Sequence, residues 1–401
     1  MKNKLLAVAV AGALATPGLA LAQSSVTISG IFKVSLENLR IGSPNAPRAG
    51  LNKTENRMAD DFSRILFNVV EDLGGGLQAI GQADLRMPMA SGNFIAMNGN
   101  THVGLRSASL GRVILGRQDV HYVNTGSDLS VLAGDLRADS TSLLAFMANG
   151  VAIANASRTP NIIVYTTPNF GGFTAIVAYS TGPTGSATGQ PNVSNVGAPV
   201  GLGATAAQQS DLASGIRKGN AININPNYAA VNWQIGYSYW NMKPDGGQSL
   251  AAGAAAGQLD QRSNKLYGSF KIAGFKIGLA WDKSKLTGNS GATAGVVTNE
   301  RSAWSLPISY IMGNNGFHFH YTKARDDTRT VAQDGAKMVA LSYQYTLSKR
   351  TSVGLTYAKI TNDVGAAYNF FTSTSLGNST GSAITAGEDP RLFAGTIRHA
   401  F

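Results

Sequence analysis

The side chains here that could do chemistry are imidazoles, carboxylates, hydroxyls and bases, since the chain contains no cysteine. His318 and His320, two apart in "FHFHYT", are the one close pair among five histidines. Two imidazoles on one strand face could hold a metal ion, but no carboxylate or thiol pattern completes a ligand set around them. They read as a polar pair facing water, and neither a metal nor another cofactor is expected. Serines are abundant, yet none sits in a nucleophile elbow. Neither a phosphate loop nor a dinucleotide fingerprint occurs in a strand–helix setting. No catalytic residue emerges. What remains is fixed charge. Strand side chains alternate from face to face. On that parity Lys33 shares a face with Ser29 and Glu37, Arg64 with Asn68, and Arg86 with Gln82 and Asp84; Arg158 falls on the same polar side. Charges gathered at the narrowest point of a water-filled passage select the ions that cross it. Electrostatic filtering is therefore the chemistry these residues point to.

Such a passage needs walls, and the sequence supplies them as strands. In "VNWQIGYSYW", Val231, Trp233, Ile235, Tyr237 and Tyr239 oppose Asn232, Gln234, Gly236 and Ser238. In "FKIGLAWDK", Phe275, Ile277, Leu279 and Trp281 oppose Lys276, Gly278, Ala280 and Asp282. The same period of two runs through "SNKLYGSFKI", "FHFHYT" and "MVALSYQYTL", the mark of strands with one apolar and one polar face. Short turns at 71–76, 107–112, 169–172, 272–275, 313–316 and 347–350 alternate with long segments rich in small and polar residues. Those segments run near 39–62, 87–100, 119–160, 180–220, 241–262, 284–300 and 363–388. About sixteen strands, with short turns at one end and long loops at the other, are the signature of an all-β transmembrane antiparallel barrel.

A soluble β-sandwich would alternate in the same way. The barrel is preferred because apolar faces end in aromatics (Trp233, Tyr239, Phe275, Trp281, Tyr345, Phe401), as interfacial belts do. The opposite faces carry Lys, Arg, Gln and His, which suits a wet lumen. A closed barrel also leaves no strand edge unpaired in lipid. Phe401 shares its face with Phe393, Gly395, Ile397 and His399, so it is expected to end the closing strand facing lipid. Its carboxylate is expected at the rim, beside a basic group at the start of the first strand.

The opening "MKNKLLAVAVAGALATPGLALAQSS" has two lysines, an apolar run broken by Pro17-Gly18, and small residues Ala20 and Ala22. That pattern predicts a secretory signal over residues 1–22, removed before Gln23, and a barrel over 23–401. Export and the absence of any basic run or zinc spacing argue against nucleic acid as a partner, although the formal charge is +11.

Several stretches together resemble the general diffusion porins of Gram-negative bacteria, above all their β-proteobacterial branch. They are "QSSVTISG", "SRILFNVVEDLGGGLQAIGQ", "HVGLRSASLGRVILGRQ", "PNIIVYTTPNFGGFTAIVAYS", "YTLSKRTSVGLTYA" and the terminal "IRHAF". The resemblance implies a homotrimer of sixteen-stranded barrels, assembled through the C-terminal strand by the barrel-assembly machinery and surrounded by outer-membrane lipid and lipopolysaccharide. It implies that the third long loop, here 119–160, folds into the lumen, with Asp128, Asp135 and Asp139 as constriction acids and Arg137 among them. It places Arg64 and Arg158 in the family's basic ladder, with Lys33 and Arg86 on the same wall. The direction of Arg117 stays open, since it shares parity with the outward Val113 and Leu115. One departure weakens the ladder: Gly99-Asn100 stands where many relatives carry an arginine. The expected function is passive diffusion of small hydrophilic solutes and ions, with modest anion preference. A substrate-specific channel for organic acids or sugars and a structural or adhesive barrel are the competing readings.

Overall fold

A strand with one apolar and one polar face has to separate two environments, and in lipid every sheet edge has to be paired. The computed structural model meets both demands. It describes residues 24–42, 54–60, 63–87, 89–90, 97, 99–124, 140–144, 147–148, 151–152, 158–183, 219–243, 259–288, 293–370 and 385–401. The signal segment and Asp128, Asp135 and Asp139, with Arg137, lie outside these residues.

The first strands are β1 (Ser25–Gly42), β2 (Thr54–Asp60), β3 (Arg64–Gly74), β4 (Leu77–Arg86), β5 (Thr101–Ser107) and β6 (Gly111–Asp119). Two single-turn helices, α1 (His121–Asn124) and α2 (Thr141–Leu144), follow, then a two-residue ribbon of β7 (Met147–Ala148) and β8 (Val151–Ala152). The wall resumes with β9 (Arg158–Thr166), β10 (Phe173–Ser180), β11 (Asn220–Ala229), β12 (Trp233–Lys243), β13 (Leu259–Ile272) and β14 (Phe275–Gly288). It ends with β15 (Val297–Met312), β16 (Asn315–Ala324), β17 (Ala336–Thr346), β18 (Thr351–Asn362) and β19 (Asp389–Ala400).

Seventeen of these segments form one sheet in which each pairs antiparallel with its neighbours. β2 and β3 are stacked halves of one stave, because both pair with β1, through Val34–Asp60 and Ile31–Arg64. The wall therefore has sixteen staves. β19 pairs with the other edge of β1 from Ile31–Ala400 to Gly42–Asp389, which closes the cylinder. The closure continues to the last residue. Gly30 N donates to Phe401 O at 3.0 Å, and Phe401 N donates to Gly30 O at 3.1 Å. The Phe401 ring lies 4.8 Å from that of Phe32. A side chain at residue 30 would collide with the Phe401 ring and with the Arg64 carbonyl, so the closing contact needs glycine. Among the described residues no ion pair involves the terminal carboxylate.

The two faces separate as the alternation requires. Phe67, Val69, Val103, Leu105, Trp233, Tyr237, Leu266, Trp281, Leu341, Phe393 and Ile397 are exposed on the outside. Their neighbours Asp84, Lys265, Asp282, His318, His320 and Thr322 turn inward and are buried. At the short-turn end aromatics pair across adjacent strands: Tyr228 with Trp233 at 5.2 Å, Phe275 with Tyr310 at 4.4 Å, and Phe317 with Tyr343 at 5.3 Å. These pairs form the girdle expected where lipid meets water. The first turn is tight because Gly74, Gly75 and Gly76 adopt φ of 84°, 60° and 78°, a region that side chains disfavour.

Two connections differ from the sequence reading. β11 and β12 are joined by the short turn Ala230–Asn232, which has no glycine or proline to announce it. A further long connection, 325–335, is held by its own carboxylates: Asp327 N donates to Asp334 Oδ1 at 2.7 Å and Gly335 N to Asp326 Oδ1 at 2.7 Å. Several strands also run further toward the loops than the alternation alone indicated, as β2, β13 and β14 show.

Candidate functional site

Four staves, β3, β4, β6 and β9, bring charged residues to one patch of the inner wall. Arg64 stands directly across from Arg86, and Leu66 across from Asp84. Arg86 Nη2 donates to Asp84 Oδ2 at 2.8 Å, while Arg64 Nη1 lies 3.9 Å from the same oxygen. Asp84 itself is 1 % exposed. On the neighbouring pair, Arg158 stands across from Asp119, with Nε 3.6 Å from Oδ1. Asn100 links the two carboxylates. Its amide donates to Asp119 Oδ2 at 2.8 Å and its backbone N to Asp84 Oδ2 at 3.3 Å. Gly99 lets the backbone lie flat on Asp84; a Cβ there would collide with the carboxylate. This chain thus uses a small residue and an amide to orient two acids.

Arg117 lies near the patch, beside an irregularity. Gly116 has φ of 145°, and the register of β6 against β9 slips between Gly116 and Gln118. Two residues of β9, 160 and 161, then face the single residue 117, the geometry of a bulge. Arg117, in unbroken register with Thr101 of β5, sits against this bulge. It lies within electrostatic reach of Arg158, Asp119 and Arg86. A glycine just before a base in a strand was the signal for it, since an isolated strand glycine often marks a bulge.

Lys33 stands one stave away on β1, across from Arg398, and is 4 % exposed. Its backbone N donates to Ser63 Oγ at 2.9 Å. The structure therefore brings Arg64, Arg86 and Arg158 together, adds Arg117, and leaves Lys33 at the margin.

The facing wall is built differently. α1 and α2, the described helical pieces of the long segment after β6, rest on β12 to β17. His121 Nδ1 bonds to Ser238 Oγ at 2.9 Å and Nε2 to Ser263 Oγ at 2.8 Å. Asp282 Oδ2 lies 3.7 Å from Nε2 and accepts a very short bond from Ser263. Tyr122 reaches Ser284 Oγ at 3.2 Å, and Lys265 Nζ donates to the Tyr122 carbonyl at 3.2 Å. At α2, Arg301 Nη2 donates to Leu144 O at 3.0 Å. All of these side chains are buried. Burial pushes the His121 imidazole below its ordinary value, with Asp282 acting the other way, so it is neutral at pH 7. Burial and the Asp282 charge push the Tyr122 phenol up. Sequence reasoning passed over His121, because a single histidine after a strand carries no pattern.

Known proteins share this architecture. Residues 7–367 match the family model described as Gram-negative porin. The chain is 32 % identical over 182 residues to outer membrane porin protein 32 of Delftia acidovorans, an alignment spanning 45 % of this chain and 50 % of that relative. It is 25 % identical over 389 residues to an outer membrane porin protein of Bordetella pertussis, covering 88 % and 92 % of the two chains. Among solved structures, the anion-selective porin from Comamonas acidovorans superposes with a TM-score of 0.69 at 21 % identity, covering 94 % of this chain and all of that one. The trimer form of OmpT, an outer membrane protein of Vibrio cholerae, superposes at 0.58 with 11 % identity over 94 % of this chain and 99 % of that one. A family match across most of the chain, on a closed barrel with a wet, charged interior, shows that this outer-membrane protein belongs to the Gram-negative porins.

Proposed function

We propose that the barrel is a water-filled channel for passive diffusion of small hydrophilic solutes and ions, with a modest preference for anions. One observation carries the sign. Four arginines, Arg64, Arg86, Arg117 and Arg158, gather on one patch within electrostatic reach of two carboxylates, Asp84 and Asp119. Among the described residues the patch has a surplus of positive charge, and a narrow lumen with low-dielectric walls strengthens its field over what an exposed surface would give. Lys33 extends the positive wall toward β1.

In this reading the segment 119–160 narrows the pore. The seating of α1 and α2 on the inner wall supports that arrangement. Asp128, Asp135 and Asp139 then oppose the arginines and set up a field across the passage. The working unit is a trimer, in keeping with the trimer form of the OmpT neighbour. Its outer surface meets lipid and lipopolysaccharide. Phe401, at the closing contact with Gly30, is the feature by which the assembly machinery engages the last strand. A channel dedicated to one sugar or organic acid is less well supported. The inward aromatics Tyr267 and Trp240 are buried, at 5 % and 0 % exposure, and offer no open stacking track.

Single-channel current in a planar bilayer under a salt gradient tests the proposal. Triplet conductance steps with a reversal potential favouring chloride are expected. A cation-favouring potential would overturn the assigned sign and hand control to the loop acids. A barrel with no conductance would overturn the channel reading in favour of a structural or adhesive role.

A further inference from the structure

A second group of bases lies inside the barrel close to the short-turn end, away from the arginine patch. Arg106 on β5 and Arg112 on β6 are directly opposite each other in the ladder. Like charges in that position destabilise a sheet, because their Cβ atoms stand only about 5 Å apart. No ion pair among the described residues relieves them. Arg106 Nε donates to the neutral Gln78 Oε1 at 2.7 Å, which orients the guanidinium without neutralising it.

The register extends the pair into a row across five strands: Asp72, Gln78, Arg106, Arg112 and Thr166. Thr166 Oγ1 is enclosed and has no hydrogen-bond partner. At the far end of the row, one oxygen of Asp72 is taken by the Gly74 N–H at 2.9 Å. These five residues line one cavity of about 530 Å³ that opens between the turns. Two guanidiniums without an ion pair among the described residues, an enclosed hydroxyl and an oriented amide share one concave surface, with a single carboxylate, Asp72, at its far end.

We propose that this cavity is a binding site for a small oxyanion, a phosphate or a carboxylate carried by a solute, held between Arg106 and Arg112 with Thr166 Oγ1 as a further donor. Guanidinium forks match such oxygens geometrically, and hydrogen bonds between ionised partners are the strong ones. The site sits at the mouth opposite the long loops and is separate from the patch around Asp84. An anion that has passed the patch meets a second station before it leaves, and one that binds there lowers the chloride current. This site does not depend on the sign of selectivity assigned above.

Calorimetric titration of inorganic phosphate into the purified full-length barrel, at fixed ionic strength, tests it together with bilayer conductance. Saturable binding is expected in the wild type. The double variant Arg106→Gln/Arg112→Gln should weaken it by about tenfold or more, the worth of a charge-assisted hydrogen bond. Arg64→Gln should leave the binding in place, and Arg112→Lys should keep part of it. Phosphate binding that survives the double variant and disappears in Arg64→Gln would overturn the proposal, as would non-saturable binding in the wild type. If the protein fails to conduct but phosphate binding still requires Arg106 and Arg112, the site stands and the channel reading falls. If conductance is retained and the double variant leaves binding unchanged, the channel reading stands and the site falls.

Discussion

The two walls of the lumen use much the same side chains to opposite ends. On β12 to β15 the imidazole of His121, the carboxylate of Asp282, the ammonium of Lys265 and the hydroxyls of Ser238, Ser263 and Ser284 form a closed, buried set. On β3, β4, β6 and β9 three guanidiniums pair with two carboxylates and a fourth, that of Arg117, lies within reach, which leaves a positive surplus among the described residues. A saturated polar group contributes to holding structure and contributes little field at a distance. A charge in excess of its counter-charges does the reverse. Selectivity should therefore respond to substitutions on one wall and stability to substitutions on the other.

The strongest way to break that division is to cancel the surplus. Arg117→Gln combined with Arg158→Gln removes two positive charges, so the reversal potential in a salt gradient should fall to near zero while the barrel stays folded. Singly, Arg64→Ala and Arg158→Ala should each lower anion preference. Unchanged selectivity in both would show that the patch does not filter. On the opposite wall, Asp282→Asn strips the acceptor shared by Ser263 and the His121 side. It should reduce stability by ~1–3 kcal/mol, as for other buried hydrogen-bond losses, with selectivity intact; urea unfolding of the refolded protein reads this.

A smaller change of opposite sign sharpens the contrast. Asp84→Asn frees Arg64 and Arg86 from a shared counter-charge, so chloride preference should rise in the same bilayer assay. The smallest expected effect is one of pH. His121 is held neutral by burial, whereas in the unfolded chain it titrates near 6.5. Below that value the unfolded state binds a proton that the folded state resists, so stability declines as pH falls. Thermal unfolding followed from neutral to acid pH should show this slope in the wild type and a flatter one in His121→Gln. The difference between the two slopes reports on the saturated wall, where Asp282, Lys265 and Tyr122 surround the ring.

Much of this organisation was legible in the chain. Alternation reports which face of a strand is apolar, and it correctly separated Leu266 and Phe270 from Lys265 and Tyr267. The same parity put Arg64, Arg86 and Arg158 on the inner face. It said nothing firm about Arg117, because parity gives no neighbours and β9 bulges directly against that residue. The turn at Ala230–Asn232 was missed because no residue there requires an unusual backbone. The anchoring of His121 was also beyond reach, since its partners Ser238 and Ser263 are 117 and 142 residues away and ordinary in kind. Local chemistry shows in local sequence. A contact between an inward segment and a distant wall does not.

The irregularity beside Gly116 carries a consequence for how such a pore could change. Side-chain direction there is a matter of chain length. One residue fewer in β6 ahead of Arg117 would move that base to the opposite face of its strand. A base in the lipid costs ~2–4 kcal/mol near the middle of the bilayer and less toward its edges. A lineage, or a designer, could therefore move a positive charge between the lumen and the outside by changing the length of a strand rather than by replacing an amino acid. Short insertions and deletions in β6 and β9 become a means of retuning a charge filter.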